Sequence, residues 1–534
     1  GQSSYESKSW LVNSFLTYTR RFGGVHNLSA MAGFEETKST SQNFSATANI
    51  LPIESVGWYN LGLAAPNIGV GSGYSNGAMR SYFGRVNYNY ASRYYLTMNY
   101  RADGSSKFKG KNMFGYFPSF SLAWRLSEEK FMKNQNAFQN IKIRGGWGVT
   151  GSQAIGTYAT YTTLGGRSFD WGDVPQAGYY ARVGGNPNLK WESTEQLDVG
   201  LDLTTLDGAL SLSFDYYNKK TVDLLAPVSV AAYNGGDPEY GEESVISNVG
   251  SVRNEGIEFS ITYDVLKSNR WSYSVNLNGA FNRNKVLDLG EQSMIYGATY
   301  APGLSSQSPF ILKAGEPIGT IWGMKYLGIW QEDEAAEAAK FQQTPGDYKY
   351  QDLNNNSTYD SGDNQVIGNT NPSFTWGFNN LVSYKNFDFN LLFEGVKNRD
   401  VMNWAYMVAS ERIDFSQLIT LRAAKNRWTP DNPNAEFAKM GNSNRLNALS
   451  SHYMQDGSYV KLRNVSLAYN IPKSILSFAS VKLSVSAQNC LTLTKYKGYD
   501  PEISSTSGSD TSSGMDWFAY PNPRSFSFGI SIVY

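Results

Sequence analysis

Apolar and polar side chains alternate with a period of two along much of this chain. From Tyr82 to Tyr90 one face carries Tyr82, Gly84, Val86, Tyr88 and Tyr90, and the other Phe83, Arg85, Asn87 and Asn89. After the turn Ala91-Ser92-Arg93, the residues Leu96, Met98 and Tyr100 oppose Thr97, Asn99 and Arg101. Successive side chains of a strand point to opposite faces, so the two runs predict a hairpin with one apolar and one polar face. The same pattern joins Leu197, Val199, Leu201 and Leu203 to Leu210, Leu212, Phe214 and Tyr216 across Asp207-Gly208. It recurs between Ile257, Phe259, Ile261 and Tyr263 and the run Trp271, Tyr273, Val275 and Leu277, and again on either side of Lys385-Asn386.

This reading predicts about 15 strands, near 10–20, 23–35, 79–90, 94–102, 116–126, 141–149, 195–205, 209–217, 255–265, 271–281, 372–384, 387–394, 458–470, 480–490 and 524–534. Mostly short turns alternate with long segments near 36–78, 103–115, 150–192, 218–254, 282–371, 395–455 and 491–523. Short turns on one side and long loops on the other is the asymmetry of an outer-membrane barrel. The predicted fold class is therefore all-β, a transmembrane antiparallel β-barrel with long extracellular loops, with residues 1–534 as a single partial barrel domain. A soluble β-helix, propeller or sandwich is the competing architecture. Against it stand the aromatic and aliphatic outer faces, and a propeller would show a fixed repeat.

Direction adds an expectation about the ends. If the short turns are periplasmic, the first strand runs downward and so does the last, which predicts an odd count and upstream strands that are not in this chain. The final run Phe526, Phe528, Ile530, Ile532 and Tyr534, alternating with Ser525, Ser527, Gly529 and Ser531, resembles the C-terminal signal of bacterial barrel assembly.

Composition narrows the function classes. The 46 basic and 46 acidic residues balance, which gives no electrostatic reason to expect nucleic acid as a partner. A mean hydropathy of −0.41, with no long apolar run, excludes transmembrane helices but not strands that show lipid every second residue. The single Cys490 excludes a disulfide framework, and His26 and His452 lie too far apart in sequence for a local metal motif.

Several motifs, in order, resemble a known family. Arg80-Ser81-Tyr82-Phe83-Gly84-Arg85-Val86-Asn87-Tyr88, continuing to Tyr100-Arg101-Ala102-Asp103-Gly104-Ser105-Ser106-Lys107-Phe108, is similar to the hallmark hairpin of SusC/RagA-type TonB-dependent transporters of Bacteroidota. Phe117-Pro118-Ser119, Gly148-Val149-Thr150-Gly151-Ser152-Gln153, Asn186-Pro187-Asn188-Leu189-Lys190-Trp191-Glu192 and Asn248-Val249-Gly250-Ser251-Val252-Arg253-Asn254-Glu255-Gly256 fit the same family. The resemblance implies a barrel of about 22 strands, of which this chain supplies the C-terminal ~15, with a plugged lumen. It also implies a SusD-like surface lipoprotein as lid, energy from TonB through the N-terminal part not in this chain, and a glycan or peptide substrate. Membrane lipid would surround the wall. Two other roles compete with import: a structural subunit or client of a larger outer-membrane assembly, and a passive pore.

Candidate chemistry is sparse. In the run 352–363, Asp352, Asn354, Asn356, Thr358, Asp360 and Asp363 place oxygens at a spacing that suits a structural Ca²⁺, although Ser357 stands where such loops use glycine. Otherwise no cofactor is called for. Trp171, Tyr179, Tyr180, Trp404 and Tyr406 lie in long loops, where aromatic rings stack on sugars or hold peptides. Glu332 to Gln343 predicts a short surface helix. No nucleophile elbow or phosphate loop occurs, and the carboxylate pair Glu242-Glu243 reads as solvated loop, so no enzymatic activity is expected.

Overall fold

The computed structural model describes residues 1–50, 53–64, 68–229, 244–297, 308–411, 419–441, 449–505 and 511–534. Fifteen strands form one sheet in chain order. They are β1 Gln2–Phe22, β2 His26–Ala48, β3 Ile68–Tyr90, β4 Tyr94–Ser105, β5 Phe114–Arg125, β6 Phe138–Ser152, β7 Glu192–Thr205 and β8 Leu210–Val222. The series continues with β9 Ser251–Lys267, β10 Trp271–Asp288, β11 Phe374–Tyr384, β12 Phe387–Lys397, β13 Tyr459–Asn470, β14 Ser480–Thr494 and β15 Ser525–Val533. Each predicted strand has its counterpart. The chain falls into two compact units: Gly1–Lys133, Lys142–Val199 and Lys219–Ser251 in the first, Asn134–Ile141, Gly200–Asn218 and Val252–Tyr534 in the second.

In the first unit the strands run further than the alternation suggested. β1 and β2 stay in register from Phe22↔His26 to Gln2↔Ala46, and β2 and β3 from His26↔Tyr90 to Ala48↔Ile68. Most of the segment 36–78 expected as loop is thus paired strand, leaving a connection of residues 49–67. The cause is compositional. Beyond the apolar belt both faces of a strand can be wet, so Ser39, Thr40, Ser41, Ser75 and Asn76 continue the backbone ladder with no apolar face to advertise it. At the other end, Gly23 and Gly24 take φ of 56° and 69°, the left-handed pair that a tight hairpin between right-twisted strands requires.

The apolar positions of these strands face outward and are exposed, among them Tyr82, Val86, Met98, Tyr100, Phe120 and Leu122. A continuous apolar outer face of this kind is the lipid-facing surface of a membrane barrel. Near the short turns the rings of Tyr90, Tyr94 and Trp124 follow one another at 6.3 and 6.4 Å, and Glu129 accepts hydrogen bonds from the Tyr94 hydroxyl (2.6 Å) and Trp124 Nε1 (3.1 Å). Such rings, apolar in body and polar at one edge, suit the membrane–water interface.

The second unit has the same outer face, with Ile257, Leu381, Phe389, Leu467, Leu483 and Phe528 exposed. Trp271 packs on Tyr384 at 4.2 Å and Phe387 on Tyr469 at 4.7 Å beside its short turns. Its long connections fold into a packed assembly with two cores. One gathers Phe310, Ile321, Met402, Trp404, Met407, Tyr453 and Met515, and the other Met324, Ile329, Tyr348, Tyr350, Trp428 and Ala438. The helix expected at 332–343 is present as a 3₁₀ turn, Glu332–Glu334, followed by the α-helix Ala335–Lys340. Among the described residues no helix is long and apolar enough to cross a membrane.

Candidate functional site

In the first unit the long connections are fastened at their bases. Trp191, just before β7, packs against Phe108 (5.2 Å) and Phe117 (5.5 Å), and its indole Nε1 donates to the Met113 carbonyl at 3.1 Å. Leu189 and Ile155 complete this buried cluster. Asn248 accepts from the Lys190 amide (2.9 Å) and donates to the carbonyls of Lys190 (2.8 Å) and Asp223 (2.9 Å), while Lys190 pairs with Asp223 at 2.9 Å. Trp191, Lys190 and Asn248, which carried part of the family resemblance, therefore act as fasteners here. On the inner face Arg101 bridges strands, pairing with Asp103 (2.6 Å) and Glu35 (3.0 Å) and donating to Ser81 Oγ (2.8 Å).

In the second unit the loop assembly is organised around a buried ion pair. Arg427 meets Glu411 at 3.0 Å and donates to the carbonyls of Ala438 (3.1 Å) and Ser410, while the Tyr348 hydroxyl donates to the other Glu411 oxygen. Burial first, and then the Glu411 charge, push the Tyr326 hydroxyl up to about 12. Glu436 lies against solvent-facing partners: burial works against its charge, yet bonds from Lys497 (2.7 Å), Tyr406 (2.5 Å) and Arg422 (2.8 Å) hold it down at about 2.

His452 sits among the rings of Tyr326 (4.5 Å), Tyr453 (4.7 Å) and Tyr348 (5.0 Å). Burial holds it neutral, with a pKa of about 4 against an ordinary 6.5, although Glu436 pulls the other way. The folded assembly thus binds fewer protons than the unfolded one between these values. Its stability is expected to fall as pH drops from about 6.5 towards 4, by up to about 3 kcal/mol. Thermal melts of wild type and His452→Leu at pH 7 and 4.5 check this, since the variant should lose part of the acid sensitivity. Parallel losses in both proteins would assign the effect elsewhere.

A second polar network joins the last long connection to the inner wall. Lys461 of β13 is 1% exposed and pairs with Asp500 (2.6 Å) and Glu502 (2.5 Å). Arg463, which stands at a break in the register between Leu462 and Asn464, binds Glu502 and reaches Glu394 of β12 at 2.7 Å. Tyr459 donates to Glu502 (2.8 Å) and Asn522 to Asp500 (3.1 Å). Burial opposes the Glu502 charge, and the bonds from Arg463, Lys461 and Tyr459 bring it to about 2. Sequence reading passed over this network. Its trace was only two cations close together in a strand, Lys461 and Arg463.

The candidates named from sequence divide. Trp171 (83% exposed), Tyr179 and Tyr180 lie together on the hairpin Thr163–Trp171 and Val174–Val183, within the segment 150–192 expected as loop. Tyr180 pairs with Gly165 in the register, so its ring covers a residue without a side chain. Trp404 is a correction: it is wholly buried, 6.1 Å from Trp517, because the helix Trp404–Glu411 turns it into a core, and it cannot stack on a ligand. Tyr406, half-buried, is tied to Glu436. Glu242-Glu243 lies outside the described residues.

The run 352–363 closes on itself. Asp352 accepts from the amides of Asn356 (3.3 Å) and Ser357 (2.9 Å), Asp360 from Gly362 (2.6 Å), and Asp363 from Leu353 (2.8 Å) and Asp360 (3.1 Å). Asn356 accepts from the amide of Thr358 (2.8 Å) and Asn354 from the amide of Asn356 (3.0 Å). Among the described residues no three His, Cys, Asp or Glu side chains converge on a metal-sized site. Hydrogen bonds close this turn in the structure. Chelation with EGTA is expected to leave proteolysis between 352 and 363 unchanged; new cuts, reversed by added Ca²⁺, would restore the ion.

Hydroxyls, amides, aromatic rings and charge pairs dominate these surfaces. Three comparisons bear on what they belong to. A family model described as TonB dependent receptor-like, beta-barrel, matches residues 2–490. The chain is 35% identical to TonB-dependent receptor P3 of Formosa agariphila, over 100% of this chain and 53% of that protein. It is 29% identical to TonB-dependent receptor SusC of Bacteroides thetaiotaomicron, over 85% of this chain and 43% of that protein. The solved RagAB peptide transporter superposes with a TM-score of 0.83 at 22% identity, over 100% of this chain and 56% of that one, a likeness of fold. The chain spans about half the length of the curated relatives it matches.

Proposed function

The chain belongs to the TonB-dependent receptor-like β-barrel family of the outer membrane, and from that premise we propose that it forms part of the wall and outer loops of an importer. The imported substrate is an oligosaccharide or a peptide, transport draws energy from TonB, and a SusD-like lipoprotein closes the extracellular face. The observation that carries this reading is the family match over residues 2–490 on a sheet of fifteen strands with an apolar outer face. The polar inner wall and the loop assembly supply surfaces for a hydrophilic solute, and fastened loops give a lid something rigid to meet.

The test is purification of the intact protein from its native membrane, with mass spectrometry of what comes with it and conductance in a planar bilayer. Import predicts a stoichiometric lipoprotein, a closed channel at rest, and uptake that stops when the proton-motive force is dissipated. Steady conductance would favour a passive pore, and stable partners other than a lipoprotein lid would favour a scaffold.

A further inference from the structure

The inner face of the first unit holds a concave site, to which two of the motifs quoted above contribute Ser105, Lys107 and Gln153. We propose that it is a binding subsite for an acidic oligosaccharide, with Lys107 meeting the sugar carboxylate; this rests on the import reading and narrows its substrate class.

The site is a cavity of about 290 Å³, at the lower end of the roughly 300–1,000 Å³ of small-ligand sites. Three neighbouring strands build its wall. In their register Ser9 faces Ser39, Ser39 faces Gly77, and Ser41 faces Ser75, so hydroxyls stand side by side on the face they share with Glu35. A side chain at Gly77 would meet nothing within 4 Å, which leaves the floor open. Ser75 Oγ donates to Thr157 Oγ1 at 3.2 Å, tying the wall to the segment that follows β6.

Seven hydroxyl side chains line the cavity, with one ammonium and one amide, and no carboxylate. Lys107 is the ammonium. Its Nζ donates to the carbonyls of Ile155 (2.6 Å) and Gln153 (3.2 Å), which fixes its position and leaves one of three N–H donors for a ligand. A positive charge held by neutral carbonyls, in a lining without an anion, is complementary to a negative group. The hydroxyls both donate and accept, which matches the edge of a polyol better than the alternating amides and side chains of a peptide. Position agrees with this role. Ser39 lies 13 residues beyond the start of β2, roughly 43 Å along the strand. At the tilt of such strands this is near the extracellular edge of an apolar core about 30 Å thick, where an incoming solute first meets the wall.

The experiment is isothermal titration of the intact transporter, purified with its lid, against tri-galacturonic acid, neutral cellotriose and a tri-aspartate peptide. The expected result is binding of tri-galacturonic acid that weakens about tenfold in Lys107→Met and is restored in Lys107→Arg, as for a charge-assisted contact. Ser39→Val, within the paired strand β2, should also weaken it, and serves if Lys107→Met fails to fold. Equal affinity for cellotriose, equal affinity for the peptide, or indifference to both substitutions would overturn the proposal. Cells that still show energised uptake while the purified protein ignores tri-galacturonic acid would refute the subsite and leave import standing. Binding that responds to Lys107 in a protein without energised uptake would support the subsite and refute import.

Discussion

Glu411→Leu is expected to unfold the loop assembly of the second unit while its strands persist. Glu411 and Arg427 are both nearly inaccessible, and they neutralise each other at 3.0 Å. Removing the carboxylate strands a guanidinium in a site that water does not reach, and also removes one hydrogen-bond partner of the Tyr348 hydroxyl. Breaking a buried pair from one side costs about 3–5 kcal/mol, whereas replacing both partners with apolar groups of similar volume is close to neutral. The double variant Glu411→Leu/Arg427→Met should therefore recover much of the loss. Trypsin sensitivity across 395–455, read beside heat-modifiability of the barrel on a gel, makes the measurement. If the single variant resists trypsin as the wild type does, the pair does not organise this assembly.

Lys461→Met should detach the segment around Asp500 and Glu502 from the wall. The two carboxylates are not equivalent. Glu502 retains Arg463 and Tyr459, whereas Asp500 keeps the hydrogen bonds of Asn522 and the Glu502 amide and the attraction of the Arg399 charge. Losing the ammonium from a buried carboxylate costs about 3 kcal/mol, less than for a bare one because the other donors and the Arg399 charge remain. The loss is local, since β13 keeps its backbone bonds to β12 and β14. Hydrogen exchange should rise several-fold across 495–505 and stay unchanged in 459–470, and Lys461→Met/Asp500→Asn should restore protection. Unchanged exchange in 495–505 would remove Lys461 from this role.

Both predictions concern contacts that could not be read along the chain. The strands could be, because a bilayer imposes one apolar face and the backbone alternates every residue, so Tyr82, Val86 and Tyr90 declare their side. Where that pressure ends, legibility ends with it: Thr37 to Ala48 pairs as regularly as any strand here, yet both its faces are wet. The loops were legible only in local features, such as the helix at 335–340. What gives them structure is long-range, as when the Tyr348 hydroxyl, 63 residues from Glu411, chooses it as acceptor. Trp404 and Trp171 looked alike in sequence, each an aromatic residue in a long segment. Only packing distinguishes the one that fills a core from the one that meets solvent. The turn at 352–363 reads two ways for a related reason: Asp and Asn suit a cation and suit backbone amides equally, and in the structure backbone amides donate to them.

The fastening of Trp191, Lys190 and Asn248 at the foot of the first unit's loops has a consequence for how such a molecule changes over generations. Closing a longer loop adds little, about 0.6 kcal/mol for each doubling of its length, and here closure is achieved beside the wall rather than at the tip. The tips are therefore interchangeable parts. Sequence beyond the fasteners can be lengthened, shortened or rewritten to suit a new solute or to escape recognition from outside, and the membrane-embedded strands need not respond.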